Sequence, residues 1–284
     1  MNVIHSIAEM QRIADAHRSE GKRIGVVPTM GYLHRGHTSL IDIVRGSTDI
    51  VVTTIFVNPT QFAANEDFTK YPRNIERDTE LAAEAGTTYL FVPEAAEMYP
   101  TPYHTYVSVE DITTVLEGRI RPTHFRGVTT IVAKLFNIIK PHVAIFGQKD
   151  AQQAVVINKM AKDLNFDVQI IVAPIIREPD GLAMSSRNVY LTETERREAP
   201  VLLRSLQYAG EAIANGERSA AAIRTSMELL IVESSSGRID YIAFTDPESL
   251  EEIEKFVPGS RALISLAVRF GQTRLIDNTI IAIP

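Results

Sequence analysis

An apolar strand that breaks at a proline and re-emerges as a helix most constrains the fold of this chain. Val26 and Val27 are β-branched and suit a buried strand, whereas Pro28 has no N–H group to extend a strand ladder. From about Gly36, the apolar residues between Leu40 and Val44 follow helical spacing. The pattern predicts a strand, a glycine-containing turn and a helix, with backbone N–H groups above the strand end where they can bind phosphate.

Two histidines lie in this turn, three residues apart. If the helix begins near them, His34 and His37 project toward the same side. As neutral rings or as cations they can donate hydrogen bonds to phosphoryl oxygens. The alternative is a pair of solvent-exposed loop histidines. A zinc site is disfavoured, since no third ligand is evident nearby and the chain has no cysteine.

The composition limits the class of protein. A chain of 284 residues, 45% hydrophobic and 23% charged, can form two globular domains with a sizeable core. Its net charge of −6 argues against a non-specific nucleic-acid surface. No apolar run reaches membrane-spanning length and no signal-peptide pattern is present, so we expect a cytoplasmic protein without a nucleic-acid or membrane partner. Without cysteine, no thioester intermediate can form.

Strands and helices alternate through the first part of the chain. Residues 49–57 form a nearly continuous apolar run that is typical of a strand buried on both faces of a sheet. Further strands are predicted at residues 87–92, 142–146 and 168–176, with helices between them. We expect an α/β fold with a Rossmann-like, doubly wound parallel sheet, in which ligands bind beyond the carboxyl ends of the strands. The loops at 29–37, 58–62 and 147–153 should open on that edge.

The character of the sequence changes after Ile176. Residues 177–182 carry charge, proline and glycine, as a domain junction does. Helices followed by strands at about 239–244, 262–268 and 274–281 predict a smaller α+β domain with an antiparallel sheet. We therefore expect residues 1–176 to bind the ligands and residues 177–284 to act as a lid over the site.

Several polar segments could contribute chemistry, each with an ordinary alternative. Residues 147–150 combine glycine, lysine and aspartate, which suits phosphate and ribose but also suits a surface turn. Residues 184–187 supply two hydroxyls and an arginine able to hold phosphate, or form a polar linker. Gln61 offers a donor and an acceptor for a hydroxy acid, or is a solvent-exposed turn residue. The basic segment of residues 117–127, with Arg119, Arg121, His124 and Arg126, is interpreted as a solvated charged face.

Two common nucleotide signatures are missing. The chain contains neither Gly-x-Gly-x-x-Gly nor Gly-x-x-x-x-Gly-Lys-Ser/Thr, which disfavours dinucleotide dehydrogenases and P-loop enzymes.

The segment Pro28-Thr-Met-Gly-Tyr-Leu-His-Arg-Gly-His37 resembles the His-x-Gly-His signature of the nucleotidyltransferase superfamily, in the form found in the pantothenate synthetase (pantoate–β-alanine ligase) family. Further blocks resemble that family in the same order along essentially the whole chain. They are Phe56–Phe62, Tyr71–Arg73, Arg121–Gly127, Gly147–Gln153, Asp180–Asn188 and Arg274–Asn278.

The resemblance implies a cytoplasmic homodimer that makes pantothenate from pantoate, β-alanine and ATP with Mg²⁺. A pantoyl adenylate would form, and AMP and pyrophosphate would be released. One alternative is a nucleotidyltransferase that leaves the nucleotide on its product. Another is a nucleotide-sensing protein that binds ATP without turnover. Asp78 is a candidate ligand of Mg²⁺, unless ATP oxygens and water hold the ion.

Site roles are implied by position within the matching blocks. His37 would be the proton donor, His34 would assist it on the phosphates, and Lys149 would stabilise phosphate charge. ATP would be held by Met30, Gly31, Tyr32, Leu33, His34, Arg35, Gly36, His37, Gly147, Gln148, Lys149, Asp150, Ile176, Met184, Ser185, Ser186 and Arg187. Gln61 and Gln153 would bind pantoate, and Gln61 would also lie near β-alanine. Gln148 departs from the glutamate that is frequent in the family, and we expect only a small change in nucleotide contacts.

Overall fold

The structure is a computed structural model that describes residues 1–63, 66 and 68–284. The chain divides into two compact units. Unit 1 comprises Met1–Gln148 and Val156–Pro174, and unit 2 comprises Lys149–Val155 and Ile175–Pro284. In the part of the chain that the structure describes, no helix is both long and apolar enough to span a membrane.

Unit 1 is built on a parallel six-stranded sheet in the order β1-β4-β3-β2-β5-β6. The strands are β1 (Asn2–Ile4), β2 (Ile24–Thr29), β3 (Ile50–Ile55), β4 (Tyr89–Phe91), β5 (Val143–Gly147) and β6 (Gln169–Ala173). The chain runs from β2 outward through β3 and returns to β5 on the other side of β2. The loops after β2 and β5 therefore leave the sheet at its switch point, where α/β proteins bind ligands.

The helices of the first part of the chain connect these strands. They are α1 (Ile7–Ser19), α2 (Arg35–Arg45), α3 (Ile75–Glu84), α4 (Ala95–Met98), α5 (Glu117–Ile120), α6 (His124–Ile139) and α7 (Ala151–Asp163). Short 3₁₀ turns at Pro59–Gln61 and Gln148–Asp150 follow β3 and β5. The first five residues of α7 belong to unit 2, and the rest of the helix belongs to unit 1.

Apolar side chains of the central strands alternate between two cores. Val26 and Val52 pack with residues of α1, α6 and α7 such as Met10 and Val132. Val27, their neighbour on the opposite face, packs with residues of α2. All six residues of β3 are buried, since helices cover both faces of the sheet. The predicted parallel α/β sheet covered on both sides is thus confirmed.

The sequence predicted that strand β2 ends at Pro28. That prediction is wrong, because β2 continues through Pro28 to Thr29. The carbonyl of Ile24 faces β5, because it accepts the His142 N–H at 2.8 Å. Backbone groups of every second residue of a strand face the same neighbour, so the position of the missing Pro28 N–H also faces the β5 side. Pairing with β5 ends at Val26, before the proline is reached. The proline therefore removes no hydrogen bond from the ladder, and pairing with β3 extends to Thr29.

Unit 2 contains an antiparallel three-stranded sheet in the order β7-β8-β9. Its strands are β7 (Arg238–Thr245), β8 (Arg261–Phe270) and β9 (Thr273–Ala282), and its helices are α8 (Glu193–Glu198), α9 (Val201–Ala214) and α10 (Ala220–Ser234). Helices α9 and α10 pack on the sheet through a core that includes Leu206, Met227, Phe244 and Leu266. This is the predicted α+β arrangement.

Candidate active site

The two histidines of the sequence motif cap the N-terminus of α2. His34 is the N-cap residue, and its Nδ1 accepts the N–H of Gly36 at 3.1 Å. The N–H of His34 in turn points at Nδ1 of His37, 3.3 Å away. The ring centroids lie 4.1 Å apart, so both rings project from the same side of the helix start. Both are half-buried, which argues against the interpretation as exposed loop histidines.

These hydrogen bonds determine which ring nitrogen carries the proton. A backbone N–H can only donate, so Nδ1 of each ring must act as an acceptor. In a neutral imidazole the proton then lies on Nε2. His34 and His37 thus present Nε2–H donors at a helix N-terminus, where an anion is favoured.

The turn between β2 and α2 is held by a buried carboxylate. Gly31 and Tyr32 both have positive φ, at +85° and +52°. Asp78, only 1% exposed, accepts the N–H of Tyr32 and the N–H of Leu33, each at 2.6 Å. Arg77 adds a bond of 2.8 Å from its guanidinium to the Leu33 carbonyl. Helix α3 therefore fixes the left-handed turn that leads into the histidines.

This geometry gives Asp78 a different role from the metal ligand suggested by the sequence. Each of its carboxylate oxygens is engaged with a backbone N–H group. Among residues 1–63, 66 and 68–284, no cluster of three or more His, Asp or Glu side chains forms a metal site. Asp78 acts as an anchor of the loop.

Gln61 is buried at the end of the 3₁₀ turn after β3, with 8% of its surface exposed. The side-chain nitrogen of Asn58 donates to Gln61 Oε1 at 3.0 Å, and the hydroxyl of Tyr99 donates to Asn58 Oδ1 at 2.8 Å. Gln61 Nε2 lies 3.1 Å from Sδ of Met30. Unit 1 thus brings Gln61 next to the first predicted ATP residue, with its amide orientation set by Asn58.

A buried histidine, His124, forms a hydrogen bond to the backbone carbonyl of Gln61. Arg121 Nη1 lies 3.2 Å from Nε2 of His124, whose Nδ1 lies 3.0 Å from the Gln61 carbonyl oxygen. Because arginine can only donate, Nε2 accepts and Nδ1–H donates to that carbonyl. Burial, reinforced by the Arg121 charge, lowers the pKa of His124 to about 4. Arg121 also forms two bonds to the Glu66 carboxylate, at 2.8 and 2.6 Å.

The interpretation of this basic segment as a solvated face is therefore wrong for Arg121 and His124. It holds for Arg119 and Arg126, which are exposed, although Arg126 stacks 4.3 Å from the Tyr106 ring centroid. The segment is also partly helical, in α5 and the first turn of α6. A Cβ at Gly127 would lie 2.5 Å from the Thr60 carbonyl oxygen, so glycine lets α6 approach the turn that carries Gln61.

In unit 2, the residues from Ile176 to Met184 form a tight hairpin. The N–H of Met184 donates to the Ile176 carbonyl at 3.0 Å, and Arg177 and Ala183 form an antiparallel bridge. Asn188 closes the following turn by donating to the Ala183 carbonyl at 3.1 Å. Two segments predicted to bind ATP, at Ile176 and at Met184–Arg187, are therefore adjacent within this unit.

The remaining predicted residues have defined positions. Arg35 and Gly36 lie in the first turn of α2, Gly147 ends β5, and Gln148–Asp150 forms a 3₁₀ turn. Ser185 caps the 3₁₀ turn Ser186–Tyr190, and its Oγ accepts the Arg187 N–H at 3.2 Å. Gln153 is half-buried in the first turn of α7.

Three residues that support the site received no such role from the sequence: Asn58, His124 and Asp78. Asn58 lies inside the Asn-Pro-Thr-Gln-Phe block, so its position beside Gln61 was an available signal. His124 contacts Gln61 across 63 positions of the chain, and Asp78 contacts Tyr32 across 46 positions. No local sequence pattern predicts contacts between residues so far apart.

A parallel α/β sheet with a His-x-Gly-His turn at the N-terminus of its second helix defines the class of this chain, a nucleotide-binding α/β protein. The family model described as Pantoate-beta-alanine ligase matches residues 2–280. The chain belongs to the pantoate–β-alanine ligase family.

Relatives and solved structures agree with that membership. A pantothenate synthetase of Acetivibrio thermocellus is 53% identical over 283 residues, covering 100% of both chains. One from Moorella thermoacetica is 52% identical, covering 100% of this chain and 99% of its own. The crystal structure of pantothenate synthetase from Thermus thermophilus has a TM-score of 0.91 at 42% identity, covering 98% of this chain and 99% of that one. The Francisella tularensis ligase, complexed with β-γ ATP and β-alanine, has a TM-score of 0.81 at 32% identity, covering 99% and 97%.

Proposed function

We propose that this protein condenses pantoate with β-alanine to give pantothenate in an ATP-dependent ligase reaction that passes through pantoyl adenylate. The observation that carries the proposal is the placement of His34 and His37 at the N-terminus of α2, where Nδ1 of each ring accepts a backbone N–H group. It is supported by the match to the family over residues 2–280. It is also supported by the ATP compound and β-alanine named for the Francisella tularensis structure.

The chemistry requires no enzyme-bound intermediate, which suits a chain without cysteine. A carboxylate oxygen of pantoate attacks the α-phosphorus of ATP, the bond to the β-phosphate oxygen breaks, and pyrophosphate leaves. The amine of β-alanine then attacks the acyl carbon of pantoyl adenylate, AMP departs with the former carboxylate oxygen, and the amine loses a proton. Each step develops negative charge on phosphate oxygens, which positioned donors stabilise.

Residues of unit 1 would bind ATP and pantoate. Met30–His37 would hold ATP, with Nε2 of His37 as proton donor and His34 beside it on the phosphates. Gln61, whose Nε2 is kept as a donor by the bond from Asn58 to its Oε1, would bind pantoate and lie near β-alanine. Gly147 and Gln148 would complete the nucleotide contacts of this unit.

Residues of unit 2 would supply the remaining charge and close the site. We assign phosphate contacts to Lys149 and to Met184–Arg187, further nucleotide contacts to Asp150 and the backbone of Ile176, and pantoate binding to Gln153. The C-terminal part of the chain would act as the lid that protects pantoyl adenylate from water until β-alanine arrives.

Magnesium fits this site as an ion carried mainly by the nucleotide. Asp78 is committed to two backbone N–H groups, and the described ranges offer no cluster of three ligating side chains. We propose that ATP oxygens and water hold Mg²⁺, where it would neutralise phosphate charge, and no step above depends on a protein ligand to it. The homodimer, the Rossmann-like relationship of the sheet and the cytoplasmic location stay predictions.

The test is to mix the protein with ATP, Mg²⁺ and pantoate, with and without β-alanine, and to measure AMP, pyrophosphate and pantothenate. We expect all three products in the complete mixture and none when pantoate is omitted. Absence of AMP from the complete mixture would contradict the proposal. A product that retains the nucleotide would favour the nucleotidyltransferase alternative, which the family membership does not favour.

Substitutions at His37 separate hydrogen bonding from proton donation. His37→Ala should lower kcat by about 10²-fold or more, the usual contribution of a positioned acid. His37→Gln can still place an N–H near the position of Nε2, so it should bind ATP better than His37→Ala while remaining slow. His104→Gln is the matched control, since His104 is exposed and lies outside the proposed site. Equal turnover by His37→Ala and the unchanged protein would contradict the role of His37 as proton donor. ATP binding by the unchanged protein with no turnover would support the nucleotide-sensing alternative.

A further inference from the structure

Strand β9 carries the block Arg274–Asn278, which resembles the family but has no role in the reaction described above. Two of its residues, Asp277 and Asn278, are buried and polar. Asn278 contacts the turn at Lys149, Asp277 contacts Arg177, and β9 packs against the 3₁₀ turn Ser186–Tyr190. The segments of unit 2 with proposed ATP contacts therefore all lie near β9. The turn at Lys149 and the turn Ser186–Tyr190 contact the strand, and Ile176 precedes Arg177, which contacts it.

Asn278 fixes the backbone of the proposed catalytic lysine. It is 3% exposed, and its Nδ2 donates to the Lys149 carbonyl oxygen at 2.9 Å. The two residues are 129 positions apart, so this bond connects the turn that precedes α7 to strand β9. Fixing the carbonyl fixes the peptide plane that follows Lys149, and with it the position of the Cα atom from which the Lys149 side chain extends.

The neighbouring residue keeps Asn278 and the hairpin in place. Asp277 binds the Arg177 guanidinium with two bonds, of 2.6 and 2.9 Å, and accepts the N–H of Asn278 at 2.8 Å. Arg177 follows Ile176 and also donates to the Gly181 carbonyl at 3.0 Å. The carboxylate on β9 thus orients the hairpin that precedes Met184.

We propose that Asn278 is a positioning residue for Lys149 and acts through its hydrogen bond to the Lys149 carbonyl. The inference rests on the proposed function, because it takes Lys149 as the group that stabilises phosphate charge. An asparagine suits the position since its amide can donate without bringing charge into a buried place. A carboxylate there would face the carbonyl with an acceptor, and a methyl group would leave the carbonyl without this donor.

The order of two substitutions distinguishes hydrogen bonding from packing. Asn278→Asp keeps the shape of the side chain but replaces the donor by an oxygen, whereas Asn278→Ala removes both. We expect Asn278→Ala to lower kcat/KM for ATP by about tenfold, the effect of one hydrogen bond, with the KM for pantoate changed less than about twofold. Asn278→Asp should be at least as slow. If Asn278→Asp is near the unchanged protein while Asn278→Ala is slow, packing alone explains the residue and the proposal is wrong.

A double-mutant cycle with Lys149→Ala tests whether Asn278 acts through the lysine. In the Lys149→Ala background, adding Asn278→Ala should lower kcat/KM by less than about threefold, because coupled residues are not additive. Multiplicative effects would overturn the proposal. Ser265→Ala is the matched control, since Ser265 is buried opposite Asn278 on β8 and its hydroxyl has no hydrogen-bond partner within the described part of the chain. It should leave kcat/KM unchanged.

The same cycle is measured by calorimetric binding of a non-hydrolysable ATP analogue. If the unchanged protein binds the analogue but releases no AMP with pantoate and β-alanine, the proposed function fails, and the analogue affinities still decide the role of Asn278. Additive losses of affinity would overturn that role, and non-additive losses would support it. Failure of the unchanged protein to bind the analogue would overturn both proposals.

Discussion

The buried carboxylate of Asp78 accepts the backbone N–H of Tyr32 at 2.6 Å, across 46 positions of the chain. Tyr32 has a φ of +52°, a backbone conformation that is uncommon for residues other than glycine and that neighbouring groups must stabilise. Together with the bonds that Asp78 and Arg77 form to Leu33, this hydrogen bond from α3 maintains the turn that places His34 at the N-cap of α2. The shape of the histidine site depends on a residue that belongs to no recognised motif.

Replacing Asp78 by asparagine should loosen this turn. One of the two accepting oxygens becomes an NH₂ group facing a backbone N–H, so we expect a loss of about 1–3 kcal/mol in the free energy of unfolding, as for an unsatisfied buried group. The KM for ATP should rise, because the same turn carries Met30–His37. Urea denaturation and steady-state kinetics measure the two effects. Asp42→Asn, on the exposed side of α2, is the control, and an equal stability for the two variants would contradict the anchoring role.

Changing Asn58 to aspartate should weaken pantoate binding. An aspartate oxygen would face Gln61 Oε1 where Asn58 Nδ2 now donates at 3.0 Å, so the Gln61 amide should rotate and lose its orientation. We expect the KM for pantoate to rise by about tenfold, the equivalent of one hydrogen bond, with the KM for ATP little changed. Steady-state kinetics with each substrate varied in turn measures this. A larger effect on ATP than on pantoate would count against the role of Gln61.

His124 should make stability depend on pH. Its pKa is lowered from an ordinary value of 6.5 to about 4, mainly by burial. The unfolded chain therefore binds more protons than the folded one between those values, and stability falls as the pH falls through that window. We expect His124 to contribute a loss of about 2 kcal/mol between pH 7.5 and pH 5.

The variant His124→Asn tests this pH effect. Its side-chain amide can take over the bond to the Gln61 carbonyl but does not titrate. Urea denaturation of both proteins at several pH values should give a smaller pH dependence for the variant. His142, whose pKa is also lowered by burial, is present in both proteins and cancels in the comparison. Identical pH dependence would show that His124 is not buried in its neutral form.

Gly127→Ala should destabilise the protein by forcing α6 away from the turn at Thr60. The added methyl group would lie 2.5 Å from the Thr60 carbonyl oxygen, and overpacking of this kind typically costs about 1–3 kcal/mol. Gly210→Ala on α9 is the matched control, because nothing lies within 4 Å of the new Cβ. That change should stabilise the protein by up to about 1 kcal/mol, through helix propensity. Thermal denaturation of the two variants should therefore shift in opposite directions.

The sequence could predict features that depend on neighbours along the chain. The continuous apolar run of β3, the helical spacing from Leu40 to Val44 and the change of composition after Ile176 led to the correct fold class, because burial and periodicity are local properties. The spacing of His34 and His37 likewise placed both rings on one side of α2. The blocks that resemble the family also pointed to the ligase reaction, since they are distributed over the whole chain.

Three features could not be predicted, because they depend on partners distant in the chain. Pro28 remains inside β2 since its missing N–H lies beyond the last residue paired with β5, which only the register of the sheet decides. His124 is neutral and bound to the Gln61 carbonyl because α6 packs on the turn after β3. Asp78 binds backbone N–H groups rather than a metal because α3 lies beside the Tyr32 turn. The sequence determined which chemical groups this protein has and on which elements they lie. Tertiary packing decided which of them are buried, hydrogen-bonded and thereby oriented.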